Sequence, residues 1–282
     1  MPVLIPRSVD ELVEVFQEHP AAKLLAGGTD YMVEVNLHGR KPETMISLRQ
    51  VKELTEWSVR PTQSRITIGA GVPYADLEIG EIARLVPALA QAARTVGSPQ
   101  IRAAGTIGGN LGTCSPAGDS LPVLAALNAT IHVIGPDGNR DIEFVNFMVG
   151  VKKNSLLPSE FVHSVSLPIV EGWQGYAKVG TRNAMVISTA SACLVRDTEE
   201  GLISIALGSV GPTIIRCSQA EKWLRKNTSL RAGAQINADL ALEFGRRVSD
   251  EATPIDDHRS TAAYRRHCVA ILAPRLLVRS LA

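Results

Sequence analysis

The sequence predicts an α+β protein made of two domains. Its 282 residues reach the size at which a single hydrophobic core stops growing. After Gly172, several strand-like segments follow one another and three helical segments come last, an order typical of an α+β domain. Proline, charge and glycine cluster near Ile169 to Gly172, in the sequence PIVEG, so we expect one domain at 1–171 and a smaller one at 172–282.

The first domain opens with alternating helix and strand patterns. Ser8 is a candidate N-cap with Glu11 three residues later, the capping-box pattern, at the start of the helix SVDELVEVFQEH. KLLAGG is a short strand, and TDYMVEVNLHG is a helix that ends at Gly39. MISLRQV, TEWSVR and RITIGAGV are rich in β-branched residues and are predicted strands. We divide this domain into subdomains at about 1–57 and 58–171.

The rest of the chain gives equally plain local patterns. ADLEIGEIARL, LVPALAQAARTV and LPVLAALNA are predicted helices, TIHVIGPDGNRDIEF is a hairpin turning at PDG, and FVHSVSLPI is a strand. In the second domain, YAKVGT, STASACLVRDTEEGLISIALGSVG and TIIR are predicted antiparallel strands. The three closing helices are SQAEKWLRK, QINADLALEFGRRVSD and TAAYRRHCVAILAPRLLVRSL.

Composition excludes several classes of partner. The chain has 29 basic and 28 acidic residues, so it lacks the clustered positive charge that nucleic acids and anionic membranes require. No apolar run has the length of a membrane span, and the amino-terminal segment does not have the pattern of a secretory signal. We therefore predict a cytoplasmic protein.

Cysteine and histidine spacing gives no metal site. The four cysteines are far apart and form no CxxC pair, so we do not expect this chain to bind an iron–sulfur cluster or zinc. We expect the cysteines to be buried, reduced thiols. Cys114 is the one that lies in a glycine-rich segment, and we interpret it as packing. The histidines show no HExxH pattern. The sequence also lacks a Walker loop and a complete Rossmann fingerprint.

Two glycine-rich segments share one pattern. AGGTD at 26–30 and GTIGGN at 105–110 each combine glycines, a hydroxyl residue and the start of a helix or turn. Glycines let a ligand approach the backbone, and successive free N–H groups beside a helix start attract anions. The two segments can therefore hold the two phosphates of a dinucleotide. The alternative is that each is only a tight turn.

The motifs together resemble a known family. LLAGGTDYM, ITIGAGVPYADLE, SPQIRAAGTIGGNLGTCSPAGDSLPVLAAL and LGSVGPTIIR occur in the order and spacing of the flavoprotein subunits of molybdenum hydroxylases, such as the medium chain of carbon monoxide dehydrogenase and the xanthine dehydrogenase group. The resemblance covers essentially the whole chain. It implies an FAD-binding domain of the type shared with p-cresol methylhydroxylase and vanillyl-alcohol oxidase, followed by a smaller α+β domain with an antiparallel sheet and helices.

The resemblance also implies which residues bind FAD. The residues that would contact the pyrophosphate are Leu25, Ala26, Gly27, Gly28, Thr29 and Asp30. The residues that would form the opposite wall are Thr106, Gly108, Gly109, Asn110 and Thr113. Asp119 would lie at the adenosine end, Val162 would make an apolar contact, and Lys178 would lie near the flavin.

Some of these assignments have alternatives. Asp119 can be the N-cap of the following helix, and Lys178 can be a solvated strand residue. The family often has an acidic residue where TRNAMVIS places Val186, so any electrostatic role at that position is in doubt.

The function implied is electron transfer, with no catalytic side chain. An iron–sulfur subunit and a molybdenum cofactor subunit would be the partners, and FAD would pass electrons to an external acceptor. One alternative is a self-sufficient FAD-dependent oxidase or dehydrogenase that acts on a small molecule. Another is a redox-silent nucleotide-binding or assembly module.

Overall fold

The computed structural model describes residues 2–39 and 44–282, and it confirms the α+β class. The strands are β1 (Val3–Leu4), β2 (Lys23–Leu25), β3 (Met45–Ser47), β4 (Trp57–Arg60), β5 (Arg65–Gly69), β6 (Thr130–Gly135), β7 (Gly138–Glu143), β8 (Met148–Gly150), β9 (Lys153–Asn154), β10 (Phe161–Pro168), β11 (Gly172–Val179), β12 (Ala190–Asp197), β13 (Leu202–Gly208) and β14 (Ile215–Arg216). The helices are α1 (Val9–Glu18), α2 (Tyr31–His38), α3 (Tyr74–Leu77), α4 (Gly80–Leu85), α5 (Pro87–Arg94), α6 (Pro99–Ala104), α7 (Ile107–Thr113), α8 (Leu121–Ala126), α9 (Phe144–Phe147), α10 (Ser218–Asn227), α11 (Ala238–Glu251) and α12 (Ala262–Arg279).

The strands form separate sheets along the chain. The first is parallel, in the order β1-β3-β2. A five-stranded antiparallel sheet follows, in the order β4-β5-β10-β6-β7, and a four-stranded antiparallel sheet has the order β11-β12-β13-β14. This last sheet and α10, α11 and α12 give the carboxyl-terminal part the predicted antiparallel sheet with helices.

The start of α1 confirms Ser8 as its N-cap. The Ser8 hydroxyl accepts a hydrogen bond from the Glu11 amide at 3.2 Å. The Glu11 carboxylate accepts from the Arg7 amide at 2.7 Å, one residue before the position that a capping box uses. Leu12 and Phe16 are the buried residues of this helix, and they pack in a core with the β3 residue Ile46.

One predicted helix is divided in the structure. ADLEIGEIARL was expected to be continuous, but it contributes to both α3 and α4, with a break at Glu78 and Ile79 just before Gly80. Gly80 has a φ of +68°, in the left-handed region that ends right-handed helices. The short elements β1, α6, α9 and the β8-β9 hairpin were not predicted, because two- to six-residue elements carry little periodicity.

The four-stranded sheet is buried on both faces. On β12, Ala192 and Leu194 face α10, α11 and α12, whereas Cys193 and Val195 belong to the core of the first part of the chain, against α5 and α8. A strand buried on both faces shows an uninterrupted apolar run, which explains the sequence ASACLV. Within the described ranges, no helix is long and apolar enough to cross a membrane.

Candidate cofactor site

A cleft of ≈ 1100 Å³ lies where the two glycine-rich segments meet. Its walls come from residues 23–35, 105–119 and 185–187 and from the start of α3. All but one of the residues predicted to bind FAD line it, the exception being Lys178. The predicted residues in the lining are Leu25, Ala26, Gly27, Gly28, Thr29, Asp30, Thr106, Gly108, Gly109, Asn110, Thr113, Asp119 and Val162.

The two segments touch each other directly. A Cβ on Gly27 would overlap the carbonyl group of Ala104, so the AGGTD backbone lies against the end of α6. Further along, the Thr113 hydroxyl donates to Asp30 Oδ2 at 3.2 Å. Loops that are about 80 residues apart in the sequence therefore form one surface.

The glycines of this surface have different roles. Gly28 has a φ of +70°, which only glycine adopts without strain. A Cβ on Gly108 would overlap the β5-α3 loop at Ala70, so Gly108 serves close packing of α7. Gly112 has open space in the direction of a Cβ, with no heavy atom within 4 Å. Close packing therefore explains why positions 27 and 108 require glycine. At Gly112 no packing contact requires glycine, and the space beside it is open.

The backbone N–H groups differ between the two loops. In the second loop they are already bonded: Ile107 donates to Val72 O at 3.2 Å, Gly108 to Ala70 O at 2.8 Å, and Asn110 to Thr106 O at 3.1 Å. The Gly109 amide donates to the Thr106 hydroxyl at 2.9 Å. The expectation of free N–H groups in GTIGGN was therefore wrong, because α7 docks on the β5-α3 loop and Thr106 caps it.

The first loop keeps its donors. Among the described residues, none accepts a hydrogen bond from the backbone N–H groups of residues 26–30. A loop with several unpaired N–H groups beside the start of α2 is a suitable contact for an anion. The unpaired backbone donors of the cleft therefore lie in AGGTD, and TIGGN forms the opposite wall.

Asn110 supports the segment SPAGD. Its Oδ1 accepts from the Ser120 hydroxyl at 2.6 Å, and its side chain lies so close to Gly118 that a Cβ there would be 2.6 Å from Nδ2. These contacts hold the loop before α8 and so place Asp119 at the edge of the cleft.

Asp119 is buried among hydrogen-bond donors. Oδ1 accepts from the Tyr176 hydroxyl at 2.8 Å and from the Ser188 hydroxyl at 2.6 Å. Oδ2 accepts from Lys178 Nζ at 2.6 Å and lies 3.3 Å from the Thr95 hydroxyl, whose proton is closer to Ala92 O at 2.8 Å. The interpretation of Asp119 as a helix cap is wrong, because Ser120 is the N-cap of α8 and no side chain bonds to that helix end.

Lys178 is equally buried, so the interpretation as a solvated residue is also wrong. The side chains of Lys178 and Asp119 are 9% and 8% exposed. Besides Asp119, Nζ donates to Thr95 O at 2.9 Å and to Val186 O at 3.1 Å. An ammonium group has three donors and all three are used here. Contact of Lys178 or of the cleft residues with FAD stays a prediction.

The phenols near this ion pair are neutral. Burial raises the pKa of Tyr176 well above its usual value, and the nearby Asp119 carboxylate raises it further. Burial likewise raises the pKa of Tyr74, whose side chain lines the cleft. Both hydroxyl groups therefore keep their protons at neutral pH.

Several lining residues were not predicted. Lys152, which forms an ion pair with Glu34 at 2.6 Å, lies in a hairpin without a sequence signal. Val96 and Gly97 follow α5, and Ala70, Gly71 and Tyr74 belong to ITIGAGVPYADLE, a segment that carries the family resemblance but was not assigned to the site. Met185, Val186 and Ile187 come from the segment in which the family pattern is broken. At Val186 it is the carbonyl group that acts, as the acceptor for Lys178.

Cys114 has the environment of a packing residue, as predicted. It is fully buried, and its Sγ lies 3.4 Å from the Lys153 carbonyl oxygen. Burial raises the pKa of its thiol to about 11. All four cysteines are free and buried, which confirms the expectation of buried thiols.

Comparison with known proteins agrees with the geometry. Residues 1–170 match the family model "FAD binding domain in molybdopterin dehydrogenase", and residues 176–280 match "CO dehydrogenase flavoprotein C-terminal domain". The chain is 29% identical over 269 residues to the glyceraldehyde dehydrogenase medium chain of Sulfolobus acidocaldarius, covering 94% of this chain and 92% of that one. It is 31% identical over 232 residues to the nicotinate dehydrogenase FAD-subunit of Eubacterium barkeri, covering 78% and 77%.

The fold agrees as well. The structure superimposes with a TM-score of 0.89 and 27% identity on a chain of the carbon monoxide dehydrogenase of Hydrogenophaga pseudoflava, covering 99% of this chain and 96% of that one. The first family model spans more than half of the chain, and its cofactor is FAD. The chain therefore belongs to the family of FAD-binding subunits of the molybdenum hydroxylases, as the arrangement of its two glycine-rich loops around one cleft indicated.

Proposed function

We propose that this chain is the electron-transfer subunit of a molybdenum hydroxylase or dehydrogenase, which receives electrons from a partner's iron–sulfur centres and passes them through FAD to an external acceptor. The observation that carries the proposal is the cleft in which AGGTD, with its unpaired N–H groups, faces TIGGN. Bound FAD supplies the redox chemistry, and the protein supplies binding and orientation.

The residues of the cleft fit a dinucleotide. The N–H groups of residues 26–30 would hold the pyrophosphate, and the open space at Gly112 would let it approach the backbone. Lys178, Tyr176 and Ser188 hold Asp119 in one orientation, so its carboxylate stays at a fixed position beside the cofactor. The exposed apolar side chains Met185 and Ile187 would cover part of the cofactor from solvent.

The partners follow from the division of labour in the family. The cysteines of this chain are buried singly, and no group of His, Cys, Asp or Glu in the described ranges is arranged to hold a metal ion. Iron–sulfur and molybdenum centres would therefore belong to other subunits. The names of the relatives, a medium chain and an FAD-subunit, agree with a multisubunit enzyme. The cytoplasmic location predicted from the sequence remains part of this proposal.

The test is purification with and without the partners. The chain is expressed alone and together with a candidate iron–sulfur subunit and a candidate molybdenum subunit from the same genome. We expect one FAD per chain in both samples, reduction by substrate only in the assembled complex, and co-elution of three subunits. Absence of a flavin spectrum would contradict the cofactor site. Substrate turnover by the isolated flavoprotein would instead support the alternative, a stand-alone FAD-dependent oxidase or dehydrogenase.

A further inference from the structure

A second cavity lies on the five-stranded sheet, on the face that points away from the main core. It has a volume of ≈ 190 Å³ and shares no lining residue with the cofactor cleft in the part of the chain that the structure describes. Ile66, Ile131 and Val165 point into the core, and the residues next to them in the strands point into this cavity. All its side chains are polar or charged, so it is a candidate site for a charged ligand.

Two arginines lie side by side in the cavity. Arg60 on β4 pairs with Arg65 on β5 in the antiparallel register, and like charges at such positions repel. Across residues 2–39 and 44–282, no carboxylate forms an ion pair with either of them. Arg65 is held by two hydrogen bonds from Nη2, to Thr130 Oγ1 at 3.2 Å and to Ser166 O at 3.1 Å. Its other donors remain available to a ligand.

A chain of hydrogen bonds ends beside these arginines. Asp141 Oδ1 is 2.6 Å from His132 Nδ1, and His132 Nε2 is 2.6 Å from the Ser166 hydroxyl. The Ser166 hydroxyl is in turn 2.8 Å from the Thr67 hydroxyl. Each group in this series of hydrogen bonds thus determines the proton position of the next. The last hydroxyl is that of Thr67, which lines the cavity.

This order of groups is that of a hydrolytic Ser-His-Asp triad, but the surroundings of Ser166 do not favour acyl transfer. Ser166 is only 6% exposed. Its strand, β10, is paired with β5 on one side and β6 on the other, so the ladder uses the backbone N–H groups that would have to stabilise an oxyanion. The arrangement favours binding over nucleophilic attack.

The protonation state of His132 sets the polarity of Thr67. With a single proton on Nδ1, facing Asp141, the imidazole accepts at Nε2 from the Ser166 hydroxyl, which accepts from Thr67. With both nitrogens protonated, Nε2 donates to Ser166, Ser166 donates to Thr67, and the Thr67 hydroxyl donates into the cavity. Protonation therefore adds both a positive charge and a donor for an anion.

The charged groups around His132 come from each neighbouring strand. They are Asp141 and Glu143 on β7, Arg60 on β4, Arg65 on β5 and His163 on β10. Of these, Asp141, Arg60 and Arg65 line the cavity, which gives it a positive excess that grows when the imidazole is protonated.

We propose that this cavity binds a small oxyanion, either a free anion or the phosphate group of a larger ligand, between Arg60 and Arg65. Its volume equals that of about six water molecules, which accommodates a phosphate group with a few waters. Planar guanidinium groups and hydroxyl donors are the ligands that oxyanions prefer. The site does not depend on the proposed electron-transfer function.

The experiment titrates the FAD-saturated protein with inorganic phosphate, sulfate and phenyl phosphate by calorimetry. We expect Arg60→Gln and Arg65→Gln each to weaken binding about tenfold or more, because each removes a charged hydrogen-bond donor. Arg225→Gln is the matched control, since Arg225 is an exposed arginine on α10, and it should leave binding unchanged. The flavin spectrum reports whether each variant is intact.

A second comparison identifies the class of ligand. Tighter binding of phenyl phosphate than of phosphate would identify the group as part of a larger ligand, and equal binding would identify a free anion. The proposal is overturned if none of the three probes binds, or if Arg60→Gln and Arg65→Gln bind them as Arg225→Gln does.

Discussion

Asp119 shows how a single carboxylate is fixed beside a cofactor cleft. Its two oxygens accept from Lys178, Tyr176 and Ser188 and lie beside the Thr95 hydroxyl, so the carboxylate is held in one orientation. The resemblance at the motif SPAGD led to the prediction of this aspartate as a site residue, and its contact with FAD stays a prediction. The partners lie 24 to 69 positions away, and their roles depend on tertiary contacts that no local pattern contains.

His163 gives a prediction on pH at the same scale. It lies on β10 at an irregularity between Val162 and Ser164, and burial lowers its pKa, with repulsion from His132 as a further cause. The folded protein therefore prefers the neutral imidazole. Below the usual histidine pKa the unfolded chain binds the proton first, so stability falls as the pH drops from about 6.5 through the folded value.

The measurement compares urea unfolding of the wild type and His163→Gln at about pH 7.5 and about pH 5.5. Other groups titrate in both proteins, so the difference between them isolates His163. We expect the wild type to lose more free energy of unfolding on acidification than the variant. Equal losses would contradict the prediction.

At the level of elements, the sequence contains strong local signals for helices and strands, but it does not reveal the contacts between loops. Ser8, Gly39 and the PDG turn marked element ends correctly, because capping and turn geometry are local. The division of α3 from α4 was missed, because Gly80 lies in an otherwise helical pattern. The bonded N–H groups of TIGGN were also missed, because their acceptors are in a distant loop.

The loop contact at Gly27 yields a second prediction. Gly27→Ala should disturb the contact with Ala104, destabilise the protein by about 1–3 kcal/mol as overpacking does, and lower its FAD content. Gly112→Ala is the matched variant, because its methyl group meets no protein atom within 4 Å and should leave the free energy of unfolding of the apoprotein unchanged or higher.

Urea unfolding of the two apoproteins and fluorescence titration with FAD provide the measurements. Any loss of FAD affinity in Gly112→Ala would then report on the cofactor alone. If Gly27→Ala unfolds like the wild type and retains FAD, the close approach of the two loops does not contribute to the free energy of unfolding or to FAD binding.

For the whole molecule, the ion pair of Asp119 and Lys178 joins the two parts of the chain. Both side chains are buried, so removing one partner leaves an uncompensated charge, at a cost of about 3–5 kcal/mol. We expect Lys178→Met and Asp119→Asn each to be strongly destabilising. The double variant should be less destabilised than the sum of the two, since no charge remains buried.

Chemical unfolding of the four proteins in this double-mutant cycle gives the coupling free energy. The flavin content of the same samples shows whether loss of the Asp119–Lys178 ion pair lowers FAD binding. Additive effects would mean that the pair contributes no coupling. The sequence predicted both residues as site residues, but it placed one at the adenosine end and one near the flavin, because linear motifs do not reveal that β11 passes beside the loop before α8.

The double burial of β12 has a mechanical consequence. Each face of this sheet completes a different hydrophobic core. Moving the sheet away from the cofactor-binding part would expose apolar surface to water, so the carboxyl-terminal part is held firmly against it. Arg216 adds to this attachment by donating to Ala125 O at 3.0 Å and to the Asn128 side chain at 2.7 Å. In the proposed electron-transfer function, this attachment would keep the flavin at a constant distance from the electron donor.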